Sequence, residues 1–137
     1  MLQRIQTIWL LLAAACAFLT LKFSVYSGLR PNETQLHYLN GTETILMIAV
    51  TVAVGIISLI NIFMYNNRKL QFRMCILALV MELLLIFLYF RQIKTFSGVG
   101  AYSLSSLLHI AVIVLLVFAA SGINSDERLI KESNRLR

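Results

Sequence analysis

Charge is what this sequence has least of. Only 13% of its 137 residues are Asp, Glu, Lys or Arg, whereas a soluble domain carries about 25%. Proline is nearly absent too, and the single Pro31 lies in the longest polar connection, residues 23–43. What is abundant is apolar: 59% of the chain is hydrophobic and its mean hydropathy is +0.82. These proportions exclude a soluble globular domain and predict an integral membrane protein.

The two cysteines exclude a disulfide framework. Cys16 lies in the first of four apolar stretches, about 18 Å from Arg4 if that stretch is helical. Cys75 lies in the third stretch, just inside the end that we predict to be cytoplasmic. A disulfide needs Cα atoms within about 7 Å of each other. Neither cysteine has a His or acidic neighbour at metal-ligand spacing. Elsewhere in the chain, a site made of one His and one carboxylate would have too few ligands to hold a metal ion. We therefore expect no disulfide, no metal and no other cofactor.

Four apolar stretches organise the chain. They cover residues 5–22, 44–65, 74–91 and 101–123. Stretches of roughly 20 residues suit helices that cross a hydrocarbon core of about 30 Å, whereas a transmembrane β-strand has only about ten alternating residues. Because backbone groups in lipid must be satisfied within their own segment, the sequence predicts an all-α fold. This fold is one transmembrane four-helix bundle over residues 1–137.

Basic residues are distributed unevenly between the two sides of this bundle. The side with both termini would carry eight of them: Arg4, Arg68, Lys69, Arg73, Arg128, Lys131, Arg135 and Arg137. The other side would carry Lys22, Arg30, Arg91 and Lys94. By the positive-inside rule this predicts a multi-pass membrane protein with both termini in the cytoplasm, N-in and C-in. The bilayer, with its anionic lipids, is the expected partner, and nucleic acid is not.

The C-terminal tail, residues 124–137, follows the fourth stretch. Asn124 can cap a helix with Glu127 three residues on, and Leu129 and Ile130 form an apolar edge beside Arg128. This pattern predicts a short cytoplasmic helix, which lies on the membrane or continues the fourth span.

Glu82 lies at the centre of the third stretch. A carboxylate at that depth is costly unless it is paired, protonated or hydrated, so it is a functional-site candidate. His109 lies at a matching depth in the fourth stretch, on the next antiparallel helix. The two side chains can therefore pair in a polar pocket that opens toward the outer leaflet. Further polar residues on the same helical faces would line this pocket: Tyr89, Tyr102, Ser105 and Ser106.

Two interpretations of the Glu82–His109 pair stay open. One is structural: a buried carboxyl bonded to His or Ser fixes the register of two helices. The other is a proton relay or a cation-substrate site, as in proton-coupled transport. Catalysis is disfavoured, because the serine-rich patch lacks a nucleophile with an adjacent base.

Small residues form a stripe on the second helix. Thr51, Gly55 and Ser58 recur at helical spacing and let another helix approach closely. This predicts packing within the chain, with a homodimer seam as the alternative. Asn61, one turn from the inner end, is expected to hydrogen-bond a neighbouring helix.

Three segments carry a family resemblance. They are MLQRIQT (1–7), NRKLQFRMC (67–75) and DERLIKESNRLR (126–137). Together they resemble the signature segments of a family of small bacterial four-span membrane proteins of unknown function. The resemblance implies the four-helix inner-membrane architecture and no activity. All three segments lie on the predicted inner face, so that face is where we expect the shared chemistry.

Two functions follow from these features. The first is a non-catalytic accessory or assembly subunit that docks a membrane-protein partner, or another copy, through its basic inner face. The residues expected to carry this docking are Arg4, Gln6, Arg68, Gln71, Arg73, Arg128 and Arg135. The alternative is a small proton-coupled transporter or homodimeric exporter that uses the intramembrane Glu82.

Overall fold

The computed structural model describes residues 2–31, 34–96 and 100–135 of the chain. Long helices dominate this described part: α1 is Leu2–Lys22, α2 is Ile45–Phe63, α3 is Arg68–Ile93 and α4 is Leu107–Arg135. All four are long and apolar enough to cross a membrane. The chain is therefore a multi-pass membrane protein.

The helices form a closed ring: each contacts the helix before and after it in the chain, and α1 contacts α4. Helix α1 packs against α2 and α4, and α3 packs against the same two helices. Small side chains in the centre let the helices approach closely. The buried core is Leu10, Ala13, Ala17, Val54, Cys75, Ala78, Val112, Leu116, Ala119, Ala120 and Ile123. Large apolar side chains such as Leu11, Val80 and Phe87 are about half exposed on the outside, where lipid would cover them.

A small antiparallel sheet closes the end of the bundle opposite the termini. Its strands are β1 (Ser24–Leu29), β2 (Leu36–Asn40) and β3 (Gly100–Tyr102), in the order β2-β1-β3. A 3₁₀ turn, Leu104–Ser106, joins β3 to α4. We call the three strands the cap. The predicted all-α fold therefore holds for the four long helices but not at this end, where three strands pair.

The cap forms because it has an apolar face to bury. Val25, Tyr26 and Leu39 are at most 6% exposed and pack over the ends of α2 and α3, against residues that include Met47 and Leu85. The connection between α1 and α2 and the connection between α3 and α4 thus fold together into one sheet.

The fourth helix differs from its predicted span at both ends, and the third helix begins at Arg68, before its predicted span starts at residue 74. Residues 100–102 pair with β1, so the fourth helix begins at Leu107 instead of near residue 101. Helix α4 then runs through Asn124 without interruption to Arg135. Asn124 is therefore not a helix cap. The tail continues the fourth helix, which is one of the two arrangements predicted for it.

Candidate functional site

Glu82 and His109 meet inside the bundle. His109 Nδ1 lies 2.7 Å from Glu82 Oε1, and the two residues are 4% and 1% exposed. Helix α3 supplies the carboxyl group near its middle, and α4 supplies the imidazole from its first turn. The contact brings together two ionisable groups that a membrane interior would otherwise penalise.

The other edge of the imidazole is unused. His109 Nε2 is buried and has no hydrogen-bond partner among the described residues, and the same holds for the hydroxyl of Tyr89. The rings of these two residues lie 4.9 Å apart. A cavity of about 180 Å³ adjoins them. We call it the α3–α4 cavity, and it is lined by Val25, Ile86, Tyr89, Phe90, Ile93, Tyr102, Ser106, His109 and Ile110.

The α3–α4 cavity differs in character from the predicted polar pocket. Tyr89, Tyr102 and Ser106 do line it, but most of its wall is apolar. Ser105 is not part of this lining, and its hydroxyl lies 3.4 Å from that of Ser103. Phe90 and Ile110 are each more than half exposed on the outer faces of α3 and α4. The cavity therefore opens sideways, between two helices, toward the region that lipid would occupy.

A second buried polar cluster lies at the end of the bundle that carries the termini. Gln6 Nε2 donates to Asp126 Oδ2 at 2.7 Å, and Arg68 Nη1 lies 3.5 Å from the same oxygen. Asp126 is only 6% exposed. Gly122 leaves room for the Gln6 side chain, because a Cβ at this position would lie 3.0 Å from Gln6 Cγ. This Asp126 cluster ties α1, α3 and α4 together.

Asn61 links α2 to α3 at the same end. Its Nδ2 lies 3.0 Å from Cys75 Sγ, and its backbone carbonyl accepts a hydrogen bond of 3.2 Å from Gln71 Nε2. Asn61 thus bonds a neighbouring helix. Cys75 is a free thiol, as is Cys16.

The predicted docking residues fall into three groups. Gln6 and Gln71 are 5% and 6% exposed and bond within the chain, so a partner cannot reach them and their predicted docking role does not fit. Arg68 is partly buried against Asp126. Arg73 and Arg128 are exposed. The side chains of Arg4 and Arg135 lie outside the described residues.

The small-residue stripe of α2 faces α1. A Cβ on Gly55 would lie 2.5 Å from Phe18 Cζ, so the glycine is needed for this contact. The hydroxyls of Thr51 and Ser58 donate to backbone carbonyls one turn earlier, at 2.7 and 2.8 Å. The stripe is used for packing within the chain and leaves no surface for a homodimer seam there.

An ion cluster that the sequence did not reveal holds the cap. Arg30 forms a salt bridge with Glu43, and His37 Nε2 lies 3.2 Å from the same carboxylate. The Arg30 guanidinium also lies 5.7 Å from the centre of the Phe96 ring. Arg30, His37 and Glu43 belong to no recognised motif, and they meet because the pairing of β1 with β2 folds this connection back on itself.

Four apolar helices, two buried polar clusters and a small cap define a multi-pass helical membrane protein. The chain belongs to the family described as Domain of unknown function (DUF4293), whose family model matches residues 2–136. This confirms the resemblance drawn from the three segments. No curated protein and no solved structure matches the chain.

Proposed function

We propose that this protein is a non-catalytic accessory or assembly subunit of the bacterial inner membrane. It docks a membrane-protein partner at the end of the bundle that carries both termini. In this proposal that end is cytoplasmic, because eight basic residues belong to it and four to the cap end.

The observation that carries the proposal is the projecting end of α4. Helix α4 continues nine residues past Asp126, to Arg135, which is about 13 Å of helix. Asp126 itself is held by Gln6 and Arg68. The projecting segment therefore leaves the bundle in a fixed direction.

Exposed basic and apolar side chains lie next to each other at this end. Leu129 and Ile130 are 52% and 45% exposed, next to the exposed Arg128. The start of α3 adds three more exposed residues. We call the set the basic surface: Lys69, Leu70, Arg73, Arg128, Leu129 and Ile130.

A groove separates the two halves of the basic surface. It has a volume of about 350 Å³, and Asn66, Lys69 and Ile130 are among its lining residues. Arginine side chains can each make several hydrogen bonds to carboxylates. The partner best suited to this end therefore has acidic groups beside an apolar ridge.

The test compares two double variants that remove equal charge. Arg73→Ala with Arg128→Ala changes the basic surface, and Arg91→Ala with Lys94→Ala changes exposed residues near the cap. Tagged proteins are purified from native membranes in mild detergent, and co-purifying proteins are quantified by mass spectrometry. We expect the first variant to lose its specific partner at least tenfold and to show the growth defect of a deletion. Equal partner recovery from both variants would refute docking through the basic surface.

The alternative, a proton-coupled transporter, is favoured by one observation: the buried contact between Glu82 and His109. Glu82→Gln separates the two proposals, since it removes a proton-exchanging group and leaves the basic surface unchanged. Loss of growth function in Glu82→Gln with the partner retained would favour transport. The accessory proposal predicts a near wild-type phenotype for this variant.

A further inference from the structure

The α3–α4 cavity contains a polar atom that the protein itself does not use. His109 is 4% exposed, and its Nδ1 is engaged by Glu82. Its Nε2 is buried without a partner among the described residues, and the imidazole lines the cavity. A buried polar group left unpaired is costly. An occupant that bonds Nε2 would remove that cost.

The charge balance of the pair decides which kind of bond His109 Nε2 can make. A net charge inside a membrane is disfavoured, so the pair holds either a neutral acid with a neutral imidazole or a carboxylate with an imidazolium. In the first state, when the acid donates to Nδ1, the imidazole proton is on Nε2. In the second state both ring nitrogens carry protons. Nε2 is a donor in both of these arrangements, and an acceptor atom on an occupant would satisfy it; Nε2 accepts only in the tautomer in which Nδ1 donates to Glu82.

The dimensions and walls of the cavity restrict the occupant further. An apolar cavity of about 150 Å³ is large enough for a benzene ring, and this one has about 180 Å³. Aromatic side chains from three elements contribute to its lining: Tyr89 and Phe90 from α3, Tyr102 from β3 and His109 from α4. Its sideways opening past Phe90 and Ile110 would let an alkyl tail remain in the lipid.

We propose that the α3–α4 cavity is a binding site for a membrane-dissolved ring carbonyl compound of the quinone class. A ring carbonyl accepts the hydrogen bond of His109 Nε2, while Ile86, Ile93 and Ile110 contact the ring. Glu82 fixes the orientation of the imidazole. The site shares no residue with the basic surface, so the failure of this proposal can be distinguished from the failure of the docking proposal.

The test uses two small probes that differ only in the carbonyl groups. Duroquinone carries two ring carbonyls and no free ring position for thiol addition, so it does not modify Cys16 or Cys75. Durene has the same four methyl groups on a benzene ring without oxygen. Binding to the purified full-length chain in detergent is measured by equilibrium dialysis against empty micelles. We expect one saturable site for duroquinone and at least tenfold weaker binding of durene, since a site built to hydrogen-bond rejects an analogue that cannot.

The two histidines of the chain provide a matched comparison. His109→Phe should weaken duroquinone binding at least tenfold, whereas His37→Phe, in the cap, should change it less than twofold. Ile110→Trp narrows the opening and keeps the Glu82–His109 pair, so it should give the same loss even where His109→Phe fails to fold.

Four binding results would overturn the proposal. They are no saturable duroquinone site, equal binding of durene, unchanged binding to Ile110→Trp, and equal loss in both histidine variants. A diacyl phospholipid that survives delipidation of the wild type and is absent from His109→Phe would assign the cavity to a lipid ester instead. That result would also overturn the ring carbonyl assignment.

Discussion

The Glu82–His109 contact makes a quantitative prediction about stability. Glu82→Leu leaves His109 Nδ1 buried without a partner, which costs about 1–3 kcal/mol. Glu82→Gln keeps a hydrogen-bonding group of similar size and should cost about 1 kcal/mol or less. Glu82→Lys places a second basic group beside the imidazole in a site that is 1% exposed. Its cost should be the largest, about 3–5 kcal/mol.

A double-mutant cycle isolates the pair itself. Replacing both groups, by Glu82→Leu with His109→Phe, removes the unsatisfied atoms along with the bond. The double variant should therefore cost less than the two single variants added together, with a coupling of about 1–3 kcal/mol. Trp9 is the only tryptophan and lies 5.5 Å from the ring of Phe118. Its fluorescence reports the packing of α1 on α4 during unfolding by SDS in mixed micelles. Additive single variants, or equal stability of the Gln and Lys variants, would refute the buried pair.

Two further predictions concern orientation and packing. A cysteine at the exposed position Gln35, in a chain without native cysteines, should react with an impermeant thiol reagent in intact cells; labelling only after permeabilisation would reverse the proposed N-in, C-in orientation. Gly55→Leu should overpack the contact with Phe18 and destabilise the bundle by about 1–3 kcal/mol, measured by the same SDS unfolding. Phe18→Ala in the same chain should recover most of that loss, and a failure to recover would contradict the α1–α2 packing.

The helices and the Glu82–His109 contact could be predicted because the lengths of the apolar runs, and the positions of polar residues along them, can be read directly from the sequence. Long apolar runs exclude other backbone structures in lipid. Two antiparallel helices with a short connection place residues of equal depth side by side, which is how Glu82 and His109 were paired. The same reasoning misplaced the start of α4, because hydropathy does not distinguish a helix from the strand residues that precede it.

The whole cap could not be predicted because its strands are short and β3 is distant in sequence from the other two. Strand β3 has only three residues, and it pairs with β1 more than 70 positions earlier. Gly100 is the first residue of this strand. In the structure it pairs with Gly28 beneath the Tyr26 ring, where a side chain would collide. Such a contact depends on tertiary packing, and composition alone carries no signal for it.

The three family segments meet in the Asp126 cluster, and this changes what they indicate. Gln6 belongs to the first segment, Arg68 to the second and Asp126 to the third. A segment can therefore share the family pattern because it holds three helices in register, without any contact to a partner. The sequence alone could not pair Asp126 with Gln6 and Arg68, since periodicity identifies a helical face but not the side chain opposite it. The docking proposal consequently depends on the residues that this cluster leaves exposed, above all Arg73 and Arg128, and on the fixed direction in which α4 leaves the bundle.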